Sequence, residues 1–369
     1  MILVLHNRYR TTGGEERAVE DLLWVVRERL GEDAALLERD SALVGRTQAA
    51  AGLLGGGLRP QEVARAVRRT RARIVHVHNL HPTLGWRSLA AARDSGARVV
   101  MHLHQYRLVC AVGVCFTHGE ECTRCRGRNT LPGVIRNCRG SLGEAVTYGA
   151  ALALWQPKLA SLVDAFVVPS AFALQRLRTL EAPVGAAHVL PHVIRSFASE
   201  SRAPAGHHAL VVSRLAPEKG VDVAIEACRI AGIPLIVAGD GPERSRLVAR
   251  ADPGVTFAGH VDESELRVLR DGAAVALAPS RSGETFGLAA AEAMANGVPV
   301  AASRIGALPE LVPGEWLVPA DDPQALAGAI DQLRSDPQAG NRAIERVRAI
   351  ADPDVVAGKL SEIYAGVAD

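Results

Sequence analysis

The stretch SRSGETFGLAAAEAMANGVPVAAS, residues 280–303, carries two glutamates eight positions apart, Glu284 and Glu292. The Ala- and Leu-rich run from Phe286 to Ala295 predicts a helix that Gly297 ends. A helix start there presents the N–H groups of Phe286, Gly287 and Leu288 to an anion such as phosphate, and Gly287 admits a close backbone approach. Glu292 then falls about one to two turns inside, where a carboxylate accepts hydrogen bonds from vicinal hydroxyls such as those of a ribose. Glu284, in the loop, can reach a different group of the same ligand. Dipole complementation by one acid and a solvated face for the other would account for either Glu alone. The pair with its Gly-rich borders favours the ligand.

In SRLAPEKG, Arg214 and Lys219 lie five apart across a turn that contains Pro217. Both cations can converge above a strand end, Arg as a planar fork and Lys as a mobile charge, which suits a diphosphate. A surface ion pair of Arg214 with Glu218 is the simpler alternative. Gly13 and Gly14 follow the first apolar run; Thr11 or Thr12 can cap a helix begun by Glu15 and Glu16, and the glycines let backbone N–H groups approach a ligand. Glu15 is a candidate acceptor contact. His104 ends the run ARVVMHLH, at a position expected to border the ligand. His78, Asn79 and Tyr106 are weaker candidates, while His76 and His102 are expected to alternate away as ordinary core residues.

Five of the six cysteines fall within residues 110–138. Cys122 and Cys125 form a C-x2-C knuckle flanked by Cys110 and Cys138, a spacing that suits four thiolates around one structural Zn2+. Cys115 and His118 are substitutes, and buried thiols without metal are the equal alternative. With Gly113, Gly119, Gly127, Pro132 and Gly133, the segment has little regular structure and would gain order from a metal.

These groups need rigid elements to hold them. Of 369 residues, 48% are apolar, and 42 basic residues face 40 acidic ones for a net charge of +2, so no global field points to nucleic acid. The opening run MILVL is shorter than a signal-peptide core and no run reaches a membrane span, so the chain is expected to be cytoplasmic. The Arg-rich segment 60–73 can touch anionic lipid, although an ordinary surface helix is favoured. Short apolar runs at 1–5, 73–78, 97–104 and 164–170 alternate with amphipathic stretches. After a polar stretch at about 195–208 the pattern restarts at 209–213, 234–239, 254–259, 274–280 and 299–303. This predicts two doubly wound α/β domains, with ligands outside the carboxyl ends of the strands. The expected boundaries are 1–195, 196–350 and a C-terminal helix at 351–369 packing back toward the first domain.

GETFGLAAAEAMANGVPVAAS closely resembles the E-x7-E region of retaining family 4 glycosyltransferases of the GT-B fold. VVSRLAPEKGVDVAIEA is similar to that family's donor-phosphate loop, and VAGDGPERSRL to its next unit. HNRYRTTGGEERAVEDL, RIVHVHNLHPTLG and MHLHQYRLVC resemble the N-terminal half of a subgroup acting in polysaccharide and secondary-metabolite glycosylation. The resemblance implies two Rossmann-like domains facing a cleft and transfer of a sugar, with retention, from a UDP or GDP donor to a hydroxyl acceptor. It implies donor binding by Gly13, Gly14, Arg214, Lys219, Gly239, Phe286, Gly287, Leu288 and Glu292, and catalytic roles for His104, Glu284, Arg214 and Lys219. It requires no metal for the chemistry, and the chain shows no D-x-D pair in a loop suited to one. Gln105 and Ala111 depart from the subgroup's usual Asn and Pro, which implies a different acceptor. A hydrolysing nucleotide-sugar epimerase of the same fold, or a non-catalytic nucleotide- or zinc-binding module, stays open as an alternative.

Overall fold

A computed structural model describes residues 1–9 and 13–368. The proposed Thr11 or Thr12 cap therefore lies outside the described residues. The chain divides into two compact units, one formed by residues 1–118, 122–193 and 353–369 and the other by 119–121 and 194–352.

The first unit is built on a six-stranded, all-parallel sheet. Its spatial order is Ala34–Asp40, Ile2–Arg8, Ile74–Val77, Arg98–His102, Ala165–Val168 and Ala187–Val189. The order reverses beside the first strand, between Ile2–Arg8 and Ile74–Val77, which places a ligand crevice at the ends of those two strands. Val63, Val67, Leu89 and Leu177 cover one sheet face, and Val19, Leu22, Val26, Leu360 and Tyr364 cover the other. The last helix, Pro353–Ala368, thus supplies core to the first unit although it follows the second in sequence.

The second unit repeats the plan with the order Val255–Gly259, Leu235–Ala238, His208–Val212, Ala273–Ala278, Val300–Ser303 and Leu317–Val318. Here the first strand of the unit, His208–Val212, lies beside the fourth, Ala273–Ala278, and the winding direction changes between them. These two strands are buried on both faces, as their unbroken apolar runs require. The strands at Ala34–Asp40, Ala187–Val189 and Leu317–Val318 sit at or next to sheet edges and lack such runs, and the sequence reading passes over them. Among the described residues no helix is long and apolar enough to cross a membrane.

Candidate functional site

The turn after His208–Val212 carries Arg214 and Lys219, and the loop after Ala273–Ala278 carries Ser280 and Glu284. Both follow the pair of strands at which the second sheet reverses. Lys219 Nζ donates to Glu284 Oε1 at 2.6 Å, and Ser280 Oγ donates to the same oxygen at 2.7 Å. Burial alone would raise the Glu284 pKa; the Lys219 charge, its hydrogen bond and that of Ser280 outweigh burial and hold it below the ordinary value. Arg214 bonds Glu218 four residues on, the surface pairing foreseen as its alternative, with its side chain 58% exposed. That exposure leaves the guanidinium little to lose by turning toward an anion.

Backbone shape fixes the Glu284 loop. Gly306 has φ +65°, and a Cβ there would lie 2.3 Å from Glu284 N and 2.7 Å from Glu284 O, so only glycine fits. A Cβ at Gly239 would lie 1.9 Å from Ser213 O, which packs that strand end against the turn leading to Arg214.

The expected helix is Leu288–Ala295, with Gly287 as its N-cap. Phe286 stands before it as a buried anchor in the second unit's core, so the first turn begins two residues later than the sequence suggests. Glu292 sits in the second turn, where Arg270 Nη2 donates to its Oε2. Arg270 is 2% exposed, is also 3.4 Å from Glu263, and escapes sequence reading because it lies in a helix, Glu263–Asp271, rich in exposed charge. A carboxylate has two oxygens and about four lone-pair sites, so the guanidinium fixes Glu292 and leaves capacity for sugar hydroxyls.

In the first unit, the Gly13–Gly14 turn opens the helix Gly14–Trp24, and Glu16 accepts the N–H groups of Gly13 at 2.8 Å and Tyr9 at 3.1 Å. Glu15 accepts from Tyr9 Oη at 2.9 Å and from Gln105 Nε2 at 3.1 Å, and Arg107 donates to Gln105 at 3.0 Å. Burial, the largest influence, raises the Glu15 pKa despite nearby His6 and the Tyr9 hydrogen bond. Glu15 is thereby tied to Gln105, the position that departs from the subgroup pattern.

The histidines correct the sequence reading. Residues two apart on a strand share a face, so His76 and His102 point the same way as His78 and His104. His78 and His104 rings stack at 5.0 Å, His102 and His104 at 4.2 Å, and His76 and His78 at 5.1 Å, with His6 and His192 beside them. His78 Nδ1 lies 2.7 Å from His104 Nε2. Burial holds His78, His102 and His104 well below the usual histidine value, and His76 at about 3. The repeated H-x-H on adjacent strands was the available signal.

Cys110, Cys115, Cys122, Cys125 and Cys138 line one cavity of about 20 Å³ with Phe116 and Leu180. A hydrogen bond from Cys115 brings Cys110 down to about 6 against its burial, whereas burial pushes Cys125 up to about 11. Among the described residues, however, the group whose metal-type donor atoms lie within 4.8 Å of one another is His76, His78 and His102, and not a set of thiols.

Residues 206–336 match the family model described as glycosyl transferases group 1. Over 144 residues the chain is 39% identical to a GDP-mannose-dependent alpha-(1-6)-phosphatidylinositol dimannoside mannosyltransferase of Mycobacterium tuberculosis. That match covers 37% of this chain and spans 38% of the relative's length. The whole chain resembles Anabaena HepE, solved in complex with UDP, with a TM-score of 0.66 at 15% identity over 99% of this chain and 100% of that one. It also resembles a sucrose-phosphate synthase of Thermosynechococcus elongatus, with a TM-score of 0.70 at 19% identity over 99% and 98%. Residues 206–336 thus resemble the glycosyl transferases group 1 family, and the two parallel-sheet units have the GT-B fold.

Proposed function

We propose that this protein is a retaining glycosyltransferase that moves a sugar from a nucleoside-diphosphate donor to a hydroxyl of a glycan, lipid intermediate or small metabolite. The observation that carries the reading is the meeting of Lys219 and Glu284 at the reversal point of the second sheet, with Arg214 on the same turn as Lys219. Two cations and a helix start suit a uridine or guanosine diphosphate, and Glu292, held by Arg270, suits the ribose hydroxyls. The M. tuberculosis relative is named for dependence on GDP-mannose, and HepE has been solved with UDP and with UDP-glucose, which supports a donor of that class.

In this reading the anomeric C–O bond to the diphosphate breaks as the acceptor oxygen bonds to the same face. The acceptor proton passes to the departing phosphate oxygen, so no protein nucleophile is required. Arg214 and Lys219 stabilise the charge that develops on the diphosphate, where losing one such donor costs about 2.7–4 kcal/mol of barrier. Glu284 contacts the donor sugar and positions Lys219. His104, a neutral imidazole with His78 against its Nε2, hydrogen-bonds the sugar. Glu15 and Gln105 contribute to acceptor choice.

Cys110, Cys122, Cys125 and Cys138, which line one cavity, would hold a structural Zn2+ that orders residues 110–138 once their thiols draw together. The lowered Cys110 pKa favours a thiolate there, and the raised Cys125 pKa works against one. The protein acts in the cytoplasm. Incubation with UDP- and GDP-sugars tests the reading through nucleoside diphosphate release that depends on an added acceptor. Release without acceptor, matched by epimerised free sugar, would instead favour an epimerase.

A further inference from the structure

Five buried histidines lie on the first sheet's strands or just past their ends, and three of them, His76, His78 and His102, offer nitrogens all within 4.8 Å of one another. Their arrangement follows from topology. His76 and His78 stand two apart along one strand, and the neighbouring parallel strand, in register at His76↔Val100, carries His102 toward the same face. We infer that these three imidazoles form a binding site for one divalent transition-metal ion of the zinc type.

The hydrogen bonds point to this use. His76 Nδ1 lies 2.7 Å from Tyr364 Oη, and His78 Nδ1 lies 2.7 Å from His104 Nε2. Metal-binding histidines are held in this way, one ring nitrogen oriented by a neighbour and the other presented to the ion. His76 Nε2 and His78 Nε2 have no hydrogen-bond partner among the described residues, and neither nitrogen of His102 has one. Buried polar atoms are ordinarily paired, and three neighbouring imidazoles that each leave a nitrogen unpaired call for a shared partner. Imidazole suits zinc, nickel and copper, and burial keeps these rings in the neutral form that coordinates. On a tetrahedral zinc, with bonds of about 2.0–2.1 Å, two nitrogens stand about 3.4 Å apart, so small side-chain rotations close the site.

The ion would have a consequence for His104. With His78 bound through Nε2, its Nδ1 carries the proton and donates to His104 Nε2, which places the His104 proton on Nδ1. The metal would thus set the tautomer of a residue assigned to the sugar without itself entering the reaction. The site stands on the geometry of the first sheet, so it survives or fails separately from the sugar-transfer reading.

The test is a titration of the chelator-stripped full chain with Co2+, read by absorption, comparing wild type with His102→Gln and His76→Gln. The expected wild-type-minus-variant spectrum shows the visible bands of a low-coordinate imidazole site and no thiolate charge-transfer band, with one Co2+ fewer bound per variant chain. Far-ultraviolet circular dichroism of the metal-free proteins identifies a variant that fails to fold, in which case the other variant decides. Identical Co2+ binding in wild type and a folded variant, or a difference spectrum carrying thiolate bands, would overturn the proposal.

Discussion

Lys219 Nζ lies 2.6 Å from Glu284 Oε1, tying the turn after one strand to the loop after its neighbour where the second sheet reverses direction. The contact sets the charge state of Glu284 as well as its place. With Lys219→Met, burial acts on Glu284 with less opposition and its pKa rises. The acid limb of the kcat/KM profile should therefore move to higher pH, and an unmoved limb would remove Glu284 from the titrating site. A depressed carboxylate pKa stabilises the fold above the unfolded value and loses that contribution as pH falls through the folded one, so wild type should show this acid-range loss more strongly than the variant.

Glu292 and Arg270 form a largely buried pair, so the single substitutions Glu292→Gln and Arg270→Met should each destabilise, by about 3–5 kcal/mol at most, by removing one charge of the pair. The double variant Arg270→Met with Glu292→Met should be less destabilised than the sum, measured by urea unfolding. Nucleotide affinity separates the second role: Glu292→Gln should weaken nucleoside diphosphate binding about tenfold or more, a loss of roughly 1.4 kcal/mol. Unchanged affinity would leave the pair purely structural.

Gly306→Ala adds one methyl where Glu284 backbone atoms already stand at 2.3 and 2.7 Å. It should lower kcat/KM by about tenfold or more without altering any charge, because displacing a positioned group by about 1 Å can cost a hundredfold. Wild-type kinetics would show that the Glu284 loop tolerates displacement.

Cys122→Ser should lose one equivalent of zinc by elemental analysis and lower the melting temperature, while nucleoside diphosphate affinity, housed in the other unit, stays within about twofold. Equal zinc content in wild type and variant would leave the thiols as packing around their cavity.

The two-sheet plan was legible because fully buried parallel strands read as unbroken apolar runs, of which ALVVS and AVALAPS are examples. Glu284 and Lys219 could be placed from sequence since both follow such runs directly. Arg270 could not, since nothing in ESELRVLRD separates the one arginine that turns inward from its exposed neighbour Arg267. The histidine array was missed by a period error: His76 and His78 are two apart and share a face, and only the pairing of the two strands brings His102 to them. The edge strand Ala34–Asp40 was passed over because half of it is polar, as an edge allows.

Calorimetric titration with UDP and GDP tests whether the second unit binds a nucleoside diphosphate through Lys219 and its neighbours. One site per chain for one of the two nucleotides is expected, with a loss of affinity of about tenfold or more in Lys219→Ala. Binding of neither nucleotide, or equal affinity in wild type and Lys219→Ala, would contradict it.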